Sequence, residues 1–206
     1  MRRVAVAVEG ETEEEFVKQL LSPHLSEHGV LVDPVKPGRR GGDIHVDRLA
    51  PHMARLSWSY DAVTSLVDFY GFRLRQPGET VQDLEARIEM AIGTHPRKEP
   101  RLVPQFAYVQ QYEFEALLFA DPNSFSVLPN LPRSVLTMLS DIAGGFPTPE
   151  DINDSPTTAP SKRIEQCVAD YKKRFHGPAI ALKIGLPRIR AACPRFDDWV
   201  SRLEAL

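Results

Sequence analysis

Short apolar runs alternate with amphipathic stretches along the first half of the chain. Residues 3–8 are small or β-branched with no polar alternation, which is typical of a strand buried on both faces. Residues 62–67 read as another buried strand, and residues 30–35 as a short one. Residues 105–110 alternate between apolar and polar side chains enough to be a fourth strand.

Stretches with helical spacing lie between and after these strands. Thr12 and Glu15 have the spacing of a capping box, which predicts that the first helix opens at Thr12. Asp43 is placed to cap a second helical stretch, Thr80 starts a third, and a fourth begins at Phe114. Helices interleaved with strands predict an α/β fold, with a mostly parallel four-stranded sheet flanked by helices.

The second half of the chain is predicted to be helical. Helical apolar spacing recurs over residues 131–142, 161–175 and 196–203, and a loop rich in Pro, Thr, Asp and Asn occupies residues 146–161. We therefore predict a core at residues 1–120 and a helical extension at 121–206, packed on the core as a single compact unit.

Composition excludes several classes of protein. The 206 residues are 42% hydrophobic and 26% charged, which excludes a disordered or fibrous chain. A net charge of −3 points to no partner. The two cysteines, Cys167 and Cys193, have no metal or disulfide spacing and are expected to be reduced, buried thiols. The apolar run after Arg3 is too short for a signal peptide, and no stretch is long enough to span a membrane, so a cytoplasmic protein is expected.

Two acids follow predicted strands directly. Glu9 comes after the first strand and Asp68 after the third, and ligands of parallel α/β sheets bind beyond the carboxyl ends of the strands. Two carboxylates repel each other unless a cation or a proton lies between them. Mg²⁺ suits such a site, with water and phosphate oxygens completing its shell. Glu13 lies four residues after Glu9 and can reach the same ion. In the alternative, each acid only caps the next helix.

The motifs around these acids resemble a known family of domains. Residues 8–13, VEGETE, are similar to the opening signature of TOPRIM domains of the overcoming-lysogenization-defect nuclease type, and Leu66-Val67-Asp68-Phe69-Tyr70-Gly71 lies at the place of their second motif. Nearly the whole chain resembles an uncharacterised bacterial TOPRIM-like family often encoded beside AAA-type ATPases. Further matches are at residues 112–118 (YEFEALL), 159–164 (APSKRI) and 193–199 (CPRFDDW).

The resemblance implies a Mg²⁺- or Mn²⁺-dependent nuclease. Glu9, Asp68 and either Glu13 or Glu113 would hold one or two ions at a TOPRIM-like site, and Glu9 has an alternative role as general acid or base. An ATPase partner and a role in bacterial defence are implied in the same way. The chain has no phosphate-binding loop of its own, which agrees with a separate ATPase.

One residue departs from the TOPRIM pattern. Tyr70 stands where the second Asp of an Asp-x-Asp motif is expected, and a phenol is a poor ligand for Mg²⁺ at neutral pH. Either Glu113 or Glu115 supplies the missing carboxylate, with Glu113 favoured because it is closer to the strand end, or the metal site is lost. In the simpler interpretation, Glu115 is an exposed acidic residue on a helix.

Basic residues are concentrated near the C-terminus. Residues 161–195 hold nine Lys and Arg residues against two acids, a segment charge of +7. This segment predicts a nucleic-acid-binding strip that begins with Lys162 and Arg163, with solvated helix faces as the alternative. Arg39 and Arg40, in a Gly-flanked loop, are a second candidate phosphate site.

Lys183 lies inside an apolar run, residues 179–186. If buried, it must be paired or have a lowered pKa, so it is a candidate catalytic cation that neutralises a phosphate near the metal. In the alternative, its amine reaches solvent along a helix.

Two other readings of the sequence stay open beside the nuclease. The domain can be a non-catalytic adaptor or nucleic-acid-binding module of an ATPase complex, or an enzyme acting on a small phosphate ester. His24 and His28 are four residues apart and could bind a metal, although an exposed pair is the simpler reading. The sequence leaves open whether the protein is a homo-oligomer.

Overall fold

The computed structural model describes residues 1–38, 44–95, 102–153 and 155–206. It has the predicted α/β fold, with a parallel sheet flanked by helices and further helices toward the C-terminus. The sheet order is β2-β1-β3-β4, and β5 also pairs with β3. Its strands are β1 (Arg2–Val8), β2 (Val30–Val35), β3 (Ala62–Asp68), β4 (Gln105–Phe106) and β5 (Val109–Gln110).

The two central strands are deeply buried, as their sequence predicts. Every residue of β3 is buried, and so are the last five residues of β1. The strands run parallel with Val8 opposite Leu66. Their carboxyl ends therefore reach the same edge of the sheet, which is called the carboxyl edge below.

The prediction of a single fourth strand is wrong, because β4 and β5 are separate. Tyr108 lies between them, and its backbone N–H donates to Ser65 Oγ while its carbonyl accepts from the same hydroxyl, both at 3.0 Å. The backbone N–H groups on either side donate to glutamates: Ala107 to Glu89 at 3.0 Å and Val109 to Glu85 at 2.9 Å. At Tyr108 the Ser65 side chain thus replaces the backbone hydrogen bonds to β3 that would make β4 and β5 one continuous strand.

The helices of the first half differ in detail from the prediction. The first helix has Gly10 rather than Thr12 as its N-cap, because the side chain of Glu13 accepts from the Gly10 N–H. The Thr80 cap is confirmed, with the N–H of Asp83 donating to its hydroxyl at 3.2 Å. Asp43 lies outside the described residues. The helices are α1 (Glu11–Phe16), continued by a π-helical turn (Val17–Leu21), α2 (Ser22–Glu27), α3 (Val46–Leu56) and α4 (Val81–Thr94).

The second half is helical, as predicted. The helix expected over residues 161–175 is shorter, ending at Cys167, and a new helix begins at Lys173. No helix within the described ranges is long and apolar enough to cross a membrane. Longer 3₁₀ segments at Phe114–Ala120 and Pro122–Val127 precede α5 (Arg133–Gly144), α6 (Pro160–Cys167), α7 (Lys173–Ile184), α8 (Leu186–Ala192) and α9 (Pro194–Glu204).

The described residues form two compact units. The first unit comprises Met1–Gln110 together with Arg202–Leu206, and the second comprises Gln111–Ser201. The first unit holds the whole sheet, and the second holds most of the C-terminal helices. The sequence-based division into residues 1–120 and 121–206 stays a prediction.

Candidate metal site at the carboxyl edge of the sheet

Glu9 and Asp68 both lie at the carboxyl edge. Asp68 is the last residue of β3, and its side chain is buried, with 5% of the residue exposed. Glu9 follows the last residue of β1 and is half-buried. Since these strands are direct neighbours in the sheet, the backbone brings the two acids to one end of it.

Gly71 marks where the Glu9 carboxylate lies. This glycine ends a short 3₁₀ turn, Phe69–Gly71, that follows β3 directly. A Cβ on Gly71 would overlap Oε2 of Glu9 and lie 3.0 Å from its Cδ. The acid after β1 therefore packs against the turn that begins after Asp68, and only a residue without a side chain leaves room for it.

Glu13 is a third acid on the same side of the molecule. It is 3% exposed, and its Oε2 accepts a hydrogen bond from the Gly10 N–H at 3.0 Å. That hydrogen bond satisfies one of the backbone donors that a helix start leaves unpaired. Glu13 thus has a structural role at the start of α1 and fixes the backbone directly after Glu9.

Glu14 is held by lysines. Its carboxylate pairs with Lys18 and with Lys36, each at 2.6 Å. Hydrogen bonds from these two ammonium groups lower the pKa of Glu14. Glu14 thus joins α1 to the loop after β2.

Tyr70 takes part in a cation–π arrangement with a nearby arginine. The Arg75 guanidinium lies 4.4 Å from the ring centroid of Phe69 and 5.2 Å from that of Tyr70. It also donates to the carbonyls of Phe69 at 2.6 Å and Phe72 at 2.9 Å. Arg75 therefore holds the turn after β3 in shape, a function that the sequence analysis did not assign.

The acids at the carboxyl edge share one ligand chemistry, but the structure does not gather them as closely as a metal cluster requires. Among the described residues, the group of three ligand residues with atoms within 4.8 Å of one another is His24, His28 and Glu204, in another part of the first unit. Glu9, Glu13 and Asp68 offer only carboxylate oxygens, which are the ligands that Mg²⁺ and Mn²⁺ prefer. Two of the three are buried, and buried carboxylates need a positive partner or hydrogen bonds to stay charged.

Glu113 belongs to the second unit. It is the N-cap residue of the 3₁₀ segment Phe114–Ala120. Its Oε2 accepts a hydrogen bond from the backbone N–H of Ser161, at the start of α6, at 2.9 Å. Glu113 therefore joins two parts of the second unit, and its role as a metal ligand stays a prediction.

The reading of Glu115 as an exposed acid is wrong. Glu115 is fully buried, its Oε2 lies 3.0 Å from Lys173 Nζ, and Tyr171 is 3.4 Å from its Oε1. Burial, with the Glu115 charge as a further cause, raises the pKa of Tyr171 well above 10. The 3₁₀ segment turns Glu115 inward among apolar side chains, where Lys173 balances its charge.

The charge of the 161–195 segment is partly balanced from outside it. The net charge of +7 for residues 161–195 includes only the acids within that segment. Asp121 pairs with Arg188 at 3.5 Å and Asp197 with Arg190 at 2.5 Å, as Glu115 does with Lys173. The folded second unit is therefore less positive along this strip than its sequence suggests.

The predicted nucleic-acid contacts in this strip have different surroundings. Lys162 pairs with Glu165 at 2.7 Å, with both side chains about half exposed. Arg163 donates to the carbonyl of Thr158 at 2.8 Å and stacks on Phe146 at 5.1 Å. Lys162 can exchange its partner for a phosphate, whereas Arg163 has a structural role in the second unit.

Lys183 is exposed on α7, which agrees with the alternative that its amine reaches solvent along a helix. Ala181 and Ile184 on either side are buried, whereas Leu182 is exposed like Lys183 itself. Its catalytic role stays a prediction. Arg39 and Arg40 lie outside the described residues.

Sequence reasoning assigned no function to Gly71, although the signal was present. Glycine is a common residue where another group approaches the backbone closely, and here that group is the Glu9 carboxylate. The burial of Glu115 had no local signal, because it depends on where the 3₁₀ segment directs the side chain.

Comparison with known proteins adds a family but no activity. Residues 8–204 match a family described as a domain of unknown function, DUF4276. No curated protein and no solved structure matches the chain. The match extends from the end of β1 to the end of α9, across the residues of both compact units.

Proposed function

Because this chain belongs to the DUF4276 family, whose function is unknown, its activity has to be inferred from its own residues, and we propose that it is a Mg²⁺- or Mn²⁺-dependent, TOPRIM-like nuclease. The proposed reaction is hydrolysis of phosphodiester bonds in nucleic acid. The observation that carries the proposal is the contact between Glu9 and Gly71, at the carboxyl edge where Asp68 ends β3.

The donor set supports this proposal. Glu9, Asp68 and Glu13 would hold one or two divalent ions, with Glu113 as a candidate for a further ligand. Such an ion, when bound, polarises a phosphodiester and lowers the pKa of bound water. Glu9 is half-buried and directly follows β1, so it can alternatively hold or deliver a proton at the scissile phosphate, as a general acid or base does.

The proposed nucleic-acid contacts rest on the charge pattern of the sequence, and the proposed partner rests on the family resemblance. Nucleic acid would contact Lys162, Arg163 and Lys183, together with Arg39 and Arg40. The AAA-type ATPase partner and the role in bacterial defence are part of the same proposal. Exposed cations such as Lys183 would guide a phosphate backbone by charge, with affinity that falls as salt increases.

The test is cleavage by the purified protein. Plasmid, single-stranded DNA and RNA are incubated with Mg²⁺ or Mn²⁺, with and without the proposed AAA-type ATPase partner. We expect cleavage that Glu9→Gln or Asp68→Asn reduces at least about 100-fold. Asp61→Asn is the matched control, since Asp61 precedes the same strand and accepts from the Arg3 N–H at its opposite end, at 3.0 Å. Equal cleavage by the wild type and Glu9→Gln would refute the proposal.

A second candidate function is favoured by Tyr70. Its ring stacks with Arg75, where the TOPRIM pattern has an acid, and this supports an adaptor that binds nucleic acid or an ATPase without hydrolysis. Calorimetric titration with Mn²⁺ separates the two candidates. Saturable binding that Asp68→Asn abolishes supports the nuclease, and the absence of binding supports the adaptor.

A further inference from the structure

A second group of metal-binding side chains lies in the first unit, away from the acids after β1 and β3. His24 is in α2, His28 is the residue that follows this helix, and Glu204 is the last residue of α9. The Glu204 Oε1 lies 2.5 Å from His24 Nε2 and 3.7 Å from His28 Nε2. One ligand atom from each residue lies within 4.8 Å of the other two.

The fold fixes this arrangement from both sides. Residues four apart on a helix face the same way, and the two imidazole rings are 4.9 Å apart between centroids. Glu204 comes from a distant part of the sequence, but the end of α9 is anchored nearby. Leu203 is fully buried, and the Arg202 guanidinium lies 3.9 Å from the ring centroid of Phe106.

We propose that His24, His28 and Glu204 form a binding site for a divalent transition metal, with Zn²⁺ as the best match. Imidazole nitrogen with one carboxylate is a donor set for zinc-like ions, whereas Mg²⁺ and Ca²⁺ prefer oxygen alone. Ligand bonds of about 2.0–2.1 Å place neighbouring ligand atoms of a tetrahedral site roughly 3.3 Å apart. The present separations lie on either side of that value, so small side-chain rotations complete the site.

The site would leave one coordination position for water or an external ligand. Three protein ligands with an open fourth position are the arrangement of catalytic and exchangeable zinc sites, whereas structural sites have four protein ligands. The side chains are 27%, 43% and 18% exposed for His24, His28 and Glu204 respectively, so an ion can enter from solvent without unfolding.

Binding would connect the beginning and the end of the chain. The ion would join α2 to the last turn of α9, 180 residues apart for His24 and Glu204. Because an ion that binds only the folded state stabilises it, Zn²⁺ should raise the melting temperature. This proposal does not rest on the nuclease proposal, since the two sites share no residue.

The test is zinc titration of the full chain, followed by competition with a chromophoric chelator, in excess Mg²⁺. We expect one Zn²⁺ per chain, with affinity at least about 10-fold weaker in Glu204→Gln and in His28→Asn. His176→Asn, which changes a histidine of α7, and Glu9→Gln should bind Zn²⁺ as the wild type does. Equal affinity in the wild type, Glu204→Gln and His28→Asn would overturn the proposal.

A spectroscopic readout separates a metal site from a simple hydrogen bond. Co²⁺ in a four-coordinate site gives far stronger visible absorption than six-coordinate Co²⁺, and Zn²⁺ should displace it. The zinc-dependent rise in melting temperature should disappear in both ligand variants, whatever their stability without metal. A weak, six-coordinate Co²⁺ spectrum, or a rise that persists in both variants, would show that these residues hold no ion.

Discussion

The carboxylate of Glu9 occupies the space in which any other residue at position 71 would carry its side chain. The chain thereby joins the acid after β1 to the turn after β3. Glycine is needed here for close approach and not for an unusual backbone angle, because the positive-φ glycines lie elsewhere among the described residues.

Gly71→Ala should therefore displace the Glu9 carboxylate. Because the overlapping atoms are the end of the flexible Glu9 side chain, which can rotate away, we expect a loss of only about 0.5–1.5 kcal/mol in unfolding free energy, together with weaker Mn²⁺ binding. The measurements are urea denaturation and calorimetric titration with Mn²⁺.

Gly93→Ala is the matched control for this change. Gly93 is an exposed residue of α4, and nothing lies within 4 Å of the position that its Cβ would take. The substitution should stabilise the protein by about 0.5–1 kcal/mol, since alanine favours the helix. Wild-type stability and Mn²⁺ affinity in Gly71→Ala would show that the contact constrains neither property.

Glu115→Gln should destabilise the second unit. The substitution removes the charge that faces Lys173 at 3.0 Å in a fully buried position. We expect a loss of about 1–3 kcal/mol, because the remaining polar groups are left poorly paired. Glu165→Gln removes the more exposed partner of Lys162 and should change stability by less than about 0.5 kcal/mol. Urea denaturation measures both changes, and an equal loss of stability in Glu115→Gln and Glu165→Gln would contradict the buried position of Glu115.

Glu14→Gln should lower the stability of the protein by an amount that depends on pH. Lys18 and Lys36 lower the pKa of Glu14 below 4.5 in the folded protein. The extra unfolding free energy of the wild type over Glu14→Gln is therefore fully present above pH 4.5, the pKa of Glu14 in the unfolded chain. It is lost as the pH falls through the lower pKa of the folded state. We expect a difference of about 0.5 kcal/mol at pH 7 that decreases in high salt. Denaturation at pH 7 and at low pH measures it, and a difference that is independent of pH would contradict the two ion pairs.

The cysteines should differ in reactivity. Cys193 is buried and Cys167 is half-buried, so only Cys193 fully matches the expectation of a buried thiol. Burial raises the pKa of Cys167, and it raises that of Cys193 well above 9. Since the thiolate is the nucleophile, alkylation at pH 8 followed by mass spectrometry should modify Cys167 first and Cys193 only on unfolding. Faster labelling of Cys193 would contradict the packing of α9.

The sequence predicted the elements whose signal is local. The apolar run before Glu9 and the run before Asp68 identify β1 and β3, because a strand buried on both faces needs such residues throughout. Thr80 was predicted to start a helix because apolar residues with helical spacing follow it directly. The parallel order of the central strands follows from the helices between them.

The features that the sequence did not predict depend on contacts between residues that are distant in the chain or on side chains whose reach is not visible locally. The break between β4 and β5 comes from the Ser65 hydroxyl and from glutamates of α4, which no local pattern reveals. Gly10 replaced Thr12 as a cap because Glu13 could reach the backbone there. Glu204 shows no relation to His24 in the sequence, because only the fold of the first unit brings the two side chains together.

The interruption between β4 and β5 also limits how copies of this protein can associate. A continuous outer strand offers a row of backbone donors and acceptors on which a neighbouring molecule can extend the sheet. Here the N–H groups of Ala107 and Val109 are already engaged by Glu89 and Glu85. The fold thus carries its own protection against edge-to-edge aggregation on this side.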